Sequence, residues 1–258
     1  MAITTEQVKE LRDQTGVSVM QCKKALEEAE GDMEKALLIL KKKSTEIAAK
    51  KSDRAAEAGF VAKAEMAGKG VLVVLRCETD FVAKNSDFIA IAESLAQTAL
   101  ESGKETATTA SAELISTGIQ KLGENIQLGE IIEISAPVVG AYIHDGRMGT
   151  IVGLEGGDAT LAKDIAMHIA AMNPEYTSRT DVPEDSVAKV RAMFEEEVSA
   201  SDKPADIKEK MLAGKIDTFF KERTLLDQSF IKNPDLTVAK ALEAGKAKLV
   251  GFSRVATA

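Results

Sequence analysis

Two histidines, His144 and His168, and two cysteines, Cys22 and Cys77, are the whole imidazole and thiol supply of this 258-residue chain. There is no C-x-x-C and no H-E-x-x-H, so no dedicated zinc site is expected and no metal is assigned. His168 lies between Met167 and Ile169, where a lone histidine without partner carboxylates reads as a packed structural group. His144 stands beside a glycine turn, where contact and structural roles are both open. Gly146-x-x-Gly149 and Gly153-x-x-Gly156-Gly157 match neither a phosphate loop nor a dinucleotide fingerprint and read as turns, where glycine supplies positive φ. No G-x-S-x-G elbow occurs, and no carboxylate pair forms a recognisable acid/base site. We therefore assign no catalytic residue and no cofactor, and read the chain as a non-enzyme.

Composition narrows the partners. Lys and Arg number 33 against 41 Asp and Glu, a formal charge of −8, which disfavours non-specific phosphate binding. Aromatics are 4% and tryptophan is absent, so a base-stacking surface is not expected and no direct nucleic-acid partner is assigned. Two cysteines make no disulfide framework and read as a reduced pair. No apolar run reaches the ~18 residues of a membrane span, and the first residues carry no signal or transit pattern. A cytoplasmic location follows as the expectation.

The elements that would position any site fall into three stretches. Residues 4–42 read as three short helices: Thr4 or Thr5 caps the first, Thr15-Gly16 ends it, Val19 to Ala29 form the second, and Gly31-Asp32 separates the third. Lys41 to Arg54 is a basic run, read as a solvated helix extension or linker, with a docking role for its lysines as the alternative. The period then changes to two. Phe60–Glu65, a turn at Ala67-Gly68-Lys69-Gly70, Val71–Leu75 and a helix over Phe88–Leu100 form one unit. Val139–His144, a turn at Asp145–Gly149, Thr150–Leu154 and a helix over Leu161–Met172 repeat it. Two helices, Glu184–Val198 and one carrying Ile207 to Phe220, then form an αα-hairpin, read as an antiparallel coiled coil. A short helix and a strand at Lys248–Phe252 follow.

The repeat exposes an insertion. Gly70 to Phe88 spans 18 positions and Gly149 to Leu161 spans 12, so the first copy is six residues longer. The extra length falls at Glu78–Asn85, a connection free to carry function. Here Phe81 either packs under its own loop or stands out as a wedge that enters a partner.

The chain resembles the bacterial elongation factor Ts family, guanine-nucleotide exchange factors for elongation factor Tu. The resemblance rests on Leu11-Arg12-x-x-Thr15-Gly16, Met20-x-Cys22-Lys23-Lys24-Ala25-Leu26 with Gly31-Asp32, Cys77-x-Thr79-Asp80-Phe81-Val82-Ala83-Lys84, and Lys121-x-Gly123-Glu124-Asn125-Ile126. It continues through His144, Arg147, Gly149 and Ile165-Ala166-Met167-His168-Ile169-Ala170-Ala171, and runs from about residue 4 to 254. It implies an α+β fold with a ubiquitin-associated-like three-helix domain and basic linker over 1–54. Two related half-domains would follow over 55–138 and 139–258, the second carrying a coiled-coil hairpin at about 184–222.

It also implies one partner, elongation factor Tu, in GDP-bound and nucleotide-free states. Its contacts would be Val19, Met20, Cys22 and Lys23, then Thr79, Asp80, Phe81 and Val82, then Leu122 and Gly123, His144, and Phe230 with Ile231. Asp80 and Phe81 would enter between two helices of the partner near its Mg²⁺ and phosphate site. Lys232 departs from the apolar character expected there, and the chain ends soon after Phe252-Ser253-Arg254, where some members carry a further helix. The hairpin's use is open among self-association as a homodimer, contact with another protein, and neither. Two rival readings remain. An adaptor would bury Phe81. A small-molecule enzyme would use His144 with Asp145 or Asp80 and act without a protein partner.

Overall fold

In the computed structural model, which describes residues 3–258, each N-terminal helix starts where a short polar side chain can cap it. Before α1 (Thr5–Thr15), the Thr4 hydroxyl accepts from the Gln7 N–H and the Gln7 side chain accepts from the Thr4 N–H. Ser18 caps α2 (Val19–Glu28) and Asp32 caps α3 (Met33–Lys51). Leu11, Cys22, Ala25, Leu26 and Ala36 close a small core between them.

Of the readings given for the basic run, the helix extension is the one seen over Lys41–Lys51. Lys41 to Lys51 are about three further turns of α3, and they dock on the body of the molecule. Lys41 pairs with Glu113 at 2.7 Å, and Lys51 donates to the carbonyl of Gly123.

The first half of the body contains β1 (Ala58–Met66), β2 (Lys69–Cys77), the single turn α4 (Asp80–Ala83), α5 (Ser86–Ser102), α6 (Lys104–Leu122) and β3 (Ile126–Ser135). Its sheet is antiparallel in the order β1-β2-β3. The second half has β4 (Val138–His144), β5 (Met148–Gly156), α7 (Ala159–Met172), α8 (Glu184–Ser199), α9 (Ala205–Arg223), β6 (Ser229–Phe230), β7 (Asn233–Thr237), α10 (Val238–Ala244) and β8 (Ala247–Ala256). Its main sheet runs β4-β5-β8. In both halves a late strand returns to pair antiparallel with the second strand, so the repeat includes β3 and β8. The α8–α9 hairpin lies between helix and returning strand in the second half, where α6 lies in the first.

The two sheets pack face to face through Val61, Leu72, Val74, Ala141, Ile151 and Val255. Their outer faces meet α5 and α6 in one half, and α7 and α10 in the other. β2 is therefore buried on both faces, which is why Val71-Leu72-Val73-Val74-Leu75 is continuously apolar rather than alternating. Gly140 allows the close approach of α7 to β4, since a Cβ there would lie 2.5 Å from the Ala162 backbone.

Besides the short elements α4, β6 and β7, two longer ones, β3 and α6, have no counterpart in the periodicity reading. The sequence of α6 is rich in Thr and Ser, which compete with the helix for backbone hydrogen bonds. Thr106, Thr108 and Thr109 instead donate to carbonyls four residues back, and burial of Ala107, Gly118 and Ile119 seats the helix. Among the described residues no helix is long and apolar enough to cross a membrane.

Candidate protein-docking site

Eight residues, 78–85, join β2 to α5, whereas residues 157 and 158 alone join β5 to α7. The difference, 8 − 2 = 6, is the inserted length. It folds as the turn α4. Thr79 caps it, its hydroxyl accepting from Val82 N–H at 3.4 Å. Ala83 is buried and Val82 half-buried against the first core. Phe81 points the other way and is 83% exposed. The reading in which Phe81 packs under its own loop is thereby corrected: in one helical turn Val82 and Ala83 take the inward face, and residue 81 is left outside.

Asp80 is exposed beside Phe81. The Lys84 ammonium, 3.1 Å away, holds its carboxyl below the usual range by hydrogen bond and charge, and Arg147 lowers it further. Arg147 belongs to the β4–β5 turn. Val61 N–H donates to the carbonyl of Gly146 at 2.7 Å, which fastens that turn to β1. His144 is exposed at the end of β4, beside the same turn, and its Nδ1 shares a 3.0 Å hydrogen bond with the Tyr142 hydroxyl. Gly123 ends α6 at φ 81°, a left-handed conformation that favours glycine, with no neighbour within 4 Å of a would-be Cβ. Leu122 is half-buried on the first core. Glu124 joins this corner to α4, accepting from the Thr79 N–H at 2.9 Å and the Thr79 hydroxyl at 2.6 Å. Thr79 is half-buried, with both of its donors held in this network. The roles of Glu124, Arg147 and Lys84 were missed in the sequence, although all three stand in the motifs quoted.

On the N-terminal bundle, Met20 is 69% and Val19 52% exposed, and Lys23 is exposed on the same helix. Cys22 is not a surface contact. It is fully buried with Ala25, Leu26 and Ala29, and its thiol donates to the Val17 carbonyl at 3.6 Å. At 100° per residue these four positions form the inner face. Phe230 is a further correction. It sits in the second core with its ring centroid 5.9 Å from that of His168. Ile231 remains 38% exposed, and Lys232 pairs with Asp164 at 2.6 Å. His168 is fully buried: its Nδ1 accepts from Ile231 N–H at 3.3 Å, its Nε2 is bonded to Gln228 Oε1 at 2.9 Å, and burial lowers its pKa. That pattern fits a neutral ring.

The hairpin is fixed at its base. Arg179 bonds both Asp217 and Asp227, at 2.7 and 2.9 Å, and lies 5.0 Å over the Phe220 ring. Among the described residues, no group of three or more His, Cys, Asp or Glu side chains is arranged to hold a metal ion.

The family model described as elongation factor TS matches residues 78–258. Curated proteins named elongation factor Ts from Xanthomonas campestris pv. campestris and Xanthomonas axonopodis pv. citri are each 44% identical, over 99% of this chain and 92% of theirs. One from Alkalilimnicola ehrlichii is 42% identical over 98% of this chain and 91% of its own length. The chain belongs to the elongation factor Ts family. As in any elongation factor Ts-family chain, its place is in protein biosynthesis. The family match begins at Glu78, the first residue of the inserted connection, while the curated relatives extend across the N-terminal bundle as well.

Proposed function

We propose that this protein is a guanine-nucleotide exchange factor for elongation factor Tu and that Asp80 and Phe81 are its working wedge. The observation that carries this is Phe81, 83% exposed on a capped and buttressed turn. An apolar ring held in water by an ordered scaffold is a prepaid contact: little conformational entropy is lost when it is buried. Burial of a Phe side chain contributes about 1.5–3 kcal/mol. Seated between helices of the partner near its Mg²⁺ and phosphate site, the ring displaces groups that hold the nucleotide, and Asp80 adds a negative charge beside phosphates. Val19, Met20 and Lys23 on the bundle, Gly123, His144 and Ile231 supply the remaining contacts. Coupling is reciprocal, so the factor that loosens the nucleotide is itself loosened by incoming GTP. No covalent step and no cofactor of this chain is required.

The adaptor reading needs a buried Phe81 and loses its support to the exposed ring. The test is stopped-flow release of a fluorescent GDP from elongation factor Tu. Wild type accelerates release strongly; Phe81→Ala and Asp80→Ala both reduce the acceleration while binding through the bundle partly persists. A folded wild-type protein that leaves the release rate unchanged overturns the proposal.

A further inference from the structure

The last rung of the β2–β3 ladder pairs Cys77 with Ile126. Beyond it the two strands exchange side chains instead of backbone bonds. Glu124 takes the Thr79 N–H and hydroxyl, and Glu78 takes the Asn125 N–H at 2.6 Å. Each carboxylate thus satisfies the amide of the opposite strand. Asn125, almost fully buried, donates its side-chain amide to the Arg54 carbonyl at 2.7 Å, and Arg54 pairs back with Glu78 at 3.4 Å. Three chain segments, at 54, 78–79 and 124–125, are locked at the root of α4.

From this geometry we infer that Glu124 is a positioning residue for the Asp80–Phe81 turn, setting its direction and tying it to the Gly123 corner. This rests on the wedge reading above. Thr79 is the N-cap of α4, at φ −127° and ψ 157°, and its dihedrals aim the turn. Both of its donors end on one carboxylate, so neither its backbone nor its χ1 is free. Because the hydroxyl proton points to Glu124, its lone pairs are left for the Val82 N–H. Charge-assisted bonds of this kind are the stronger class. Burial, and next to it the neighbouring Glu124 carboxylate, push the Cys77 thiol up to about 12. The second half has no such clasp: its two-residue connection needs only Asp158, capping α7 through Leu161 N–H at 2.8 Å.

The test separates aim from stability. Nucleotide release from elongation factor Tu is followed against factor concentration for wild type, Glu124→Ala, Glu124→Gln, Thr79→Val and Phe81→Ala, each checked for folding by circular dichroism. Glu124→Ala lowers the maximal release rate by about tenfold or more while the half-saturating concentration moves by less than about threefold. Glu124→Gln, which keeps one acceptor, falls between. Thr79→Val shows the same split, and decides the matter should Glu124→Ala not fold. A wild-type maximal rate in folded Glu124→Ala or Thr79→Val, with Phe81→Ala impaired, overturns the positioning role and leaves the wedge standing. A wild-type rate in Phe81→Ala overturns the wedge itself, and the inference with it.

Discussion

The two halves of the body solve the same packing problem and differ where packing does not constrain them. In each, two antiparallel strands lead into a helix that covers the outer face of the sheet. The second half makes that crossing in two residues and the first in eight. The short crossing does one thing: Asp158 caps α7. The long crossing caps α5 with Asn85 and, before that, builds a second capped turn that displays Phe81. The same contrast recurs seven residues apart within the first half. Phe88 is fully buried in the core, and Phe81 is 83% exposed. A scaffold tolerates six extra residues in a surface connection at little cost, because loop-closure entropy grows slowly with length. The insertion is therefore a cheap place to add a contact.

Substitutions in the two phenylalanines should separate stability from function. Phe88→Ala empties part of a packed core and is expected to cost about 3–5 kcal/mol, read from urea denaturation. Phe81→Ala leaves the unfolding free energy from urea denaturation within about 0.5 kcal/mol of wild type. It lowers accelerated nucleotide release about 10- to 150-fold, the loss of a buried Phe expressed as a rate. A Phe81→Ala variant that melts early instead would show the ring to be structural and erase the contrast. In the other half, Asp158→Ala removes an N-cap and should cost about 1 kcal/mol, with release kinetics of the folded protein unaltered. An altered release rate there would mean the short crossing also reaches the partner.

The smallest effect concerns Cys77, which lies at the end of β2 where the long crossing begins. Burial and neighbouring carboxylates, Glu124 first, push its thiol from 9.0 up to about 12. Above pH 9.0 the unfolded chain gives up this proton and the folded chain keeps it, so stability falls as pH rises through the 9-to-12 window. The loss at pH 9.5 stays below about 1 kcal/mol. The pH slope of the urea midpoint in wild type should therefore exceed that of Cys77→Ala between pH 9 and 10, and equal slopes would contradict the burial of an un-ionised thiol.

Much of the local architecture was legible. The caps at Thr4 and Asp32, the breaks at Gly16 and Gly31, the two strand pairs and the paired helices of the hairpin all announce themselves in short-range chemistry. So does the length of the insertion. Cys22 was misplaced as a contact because motif membership says nothing of which side a helix presents; its spacing from Ala25, Leu26 and Ala29 carried the correct signal. Phe230 offered no such signal, since a two-residue strand is too short to show a period, and its burial depends on His168, over sixty positions earlier. α6 was hidden because Thr and Ser give no stripe, and its helicity is settled by Ala107 and Ile119 packing on the sheet.

By itself the sequence determined the repeat, its six-residue asymmetry, the turn chemistry at each end and the family, since all are properties of neighbouring residues or of their order. The tertiary structure alone decided that Phe81 faces water while Val82 and Ala83 face the core, that the basic run of α3 docks on α6, and that Glu78 and Glu124 exchange strands. Those outcomes depend on groups tens of residues apart meeting at hydrogen-bonding distance. Burial then makes an unsatisfied amide or carboxylate costly enough to enforce the pairing.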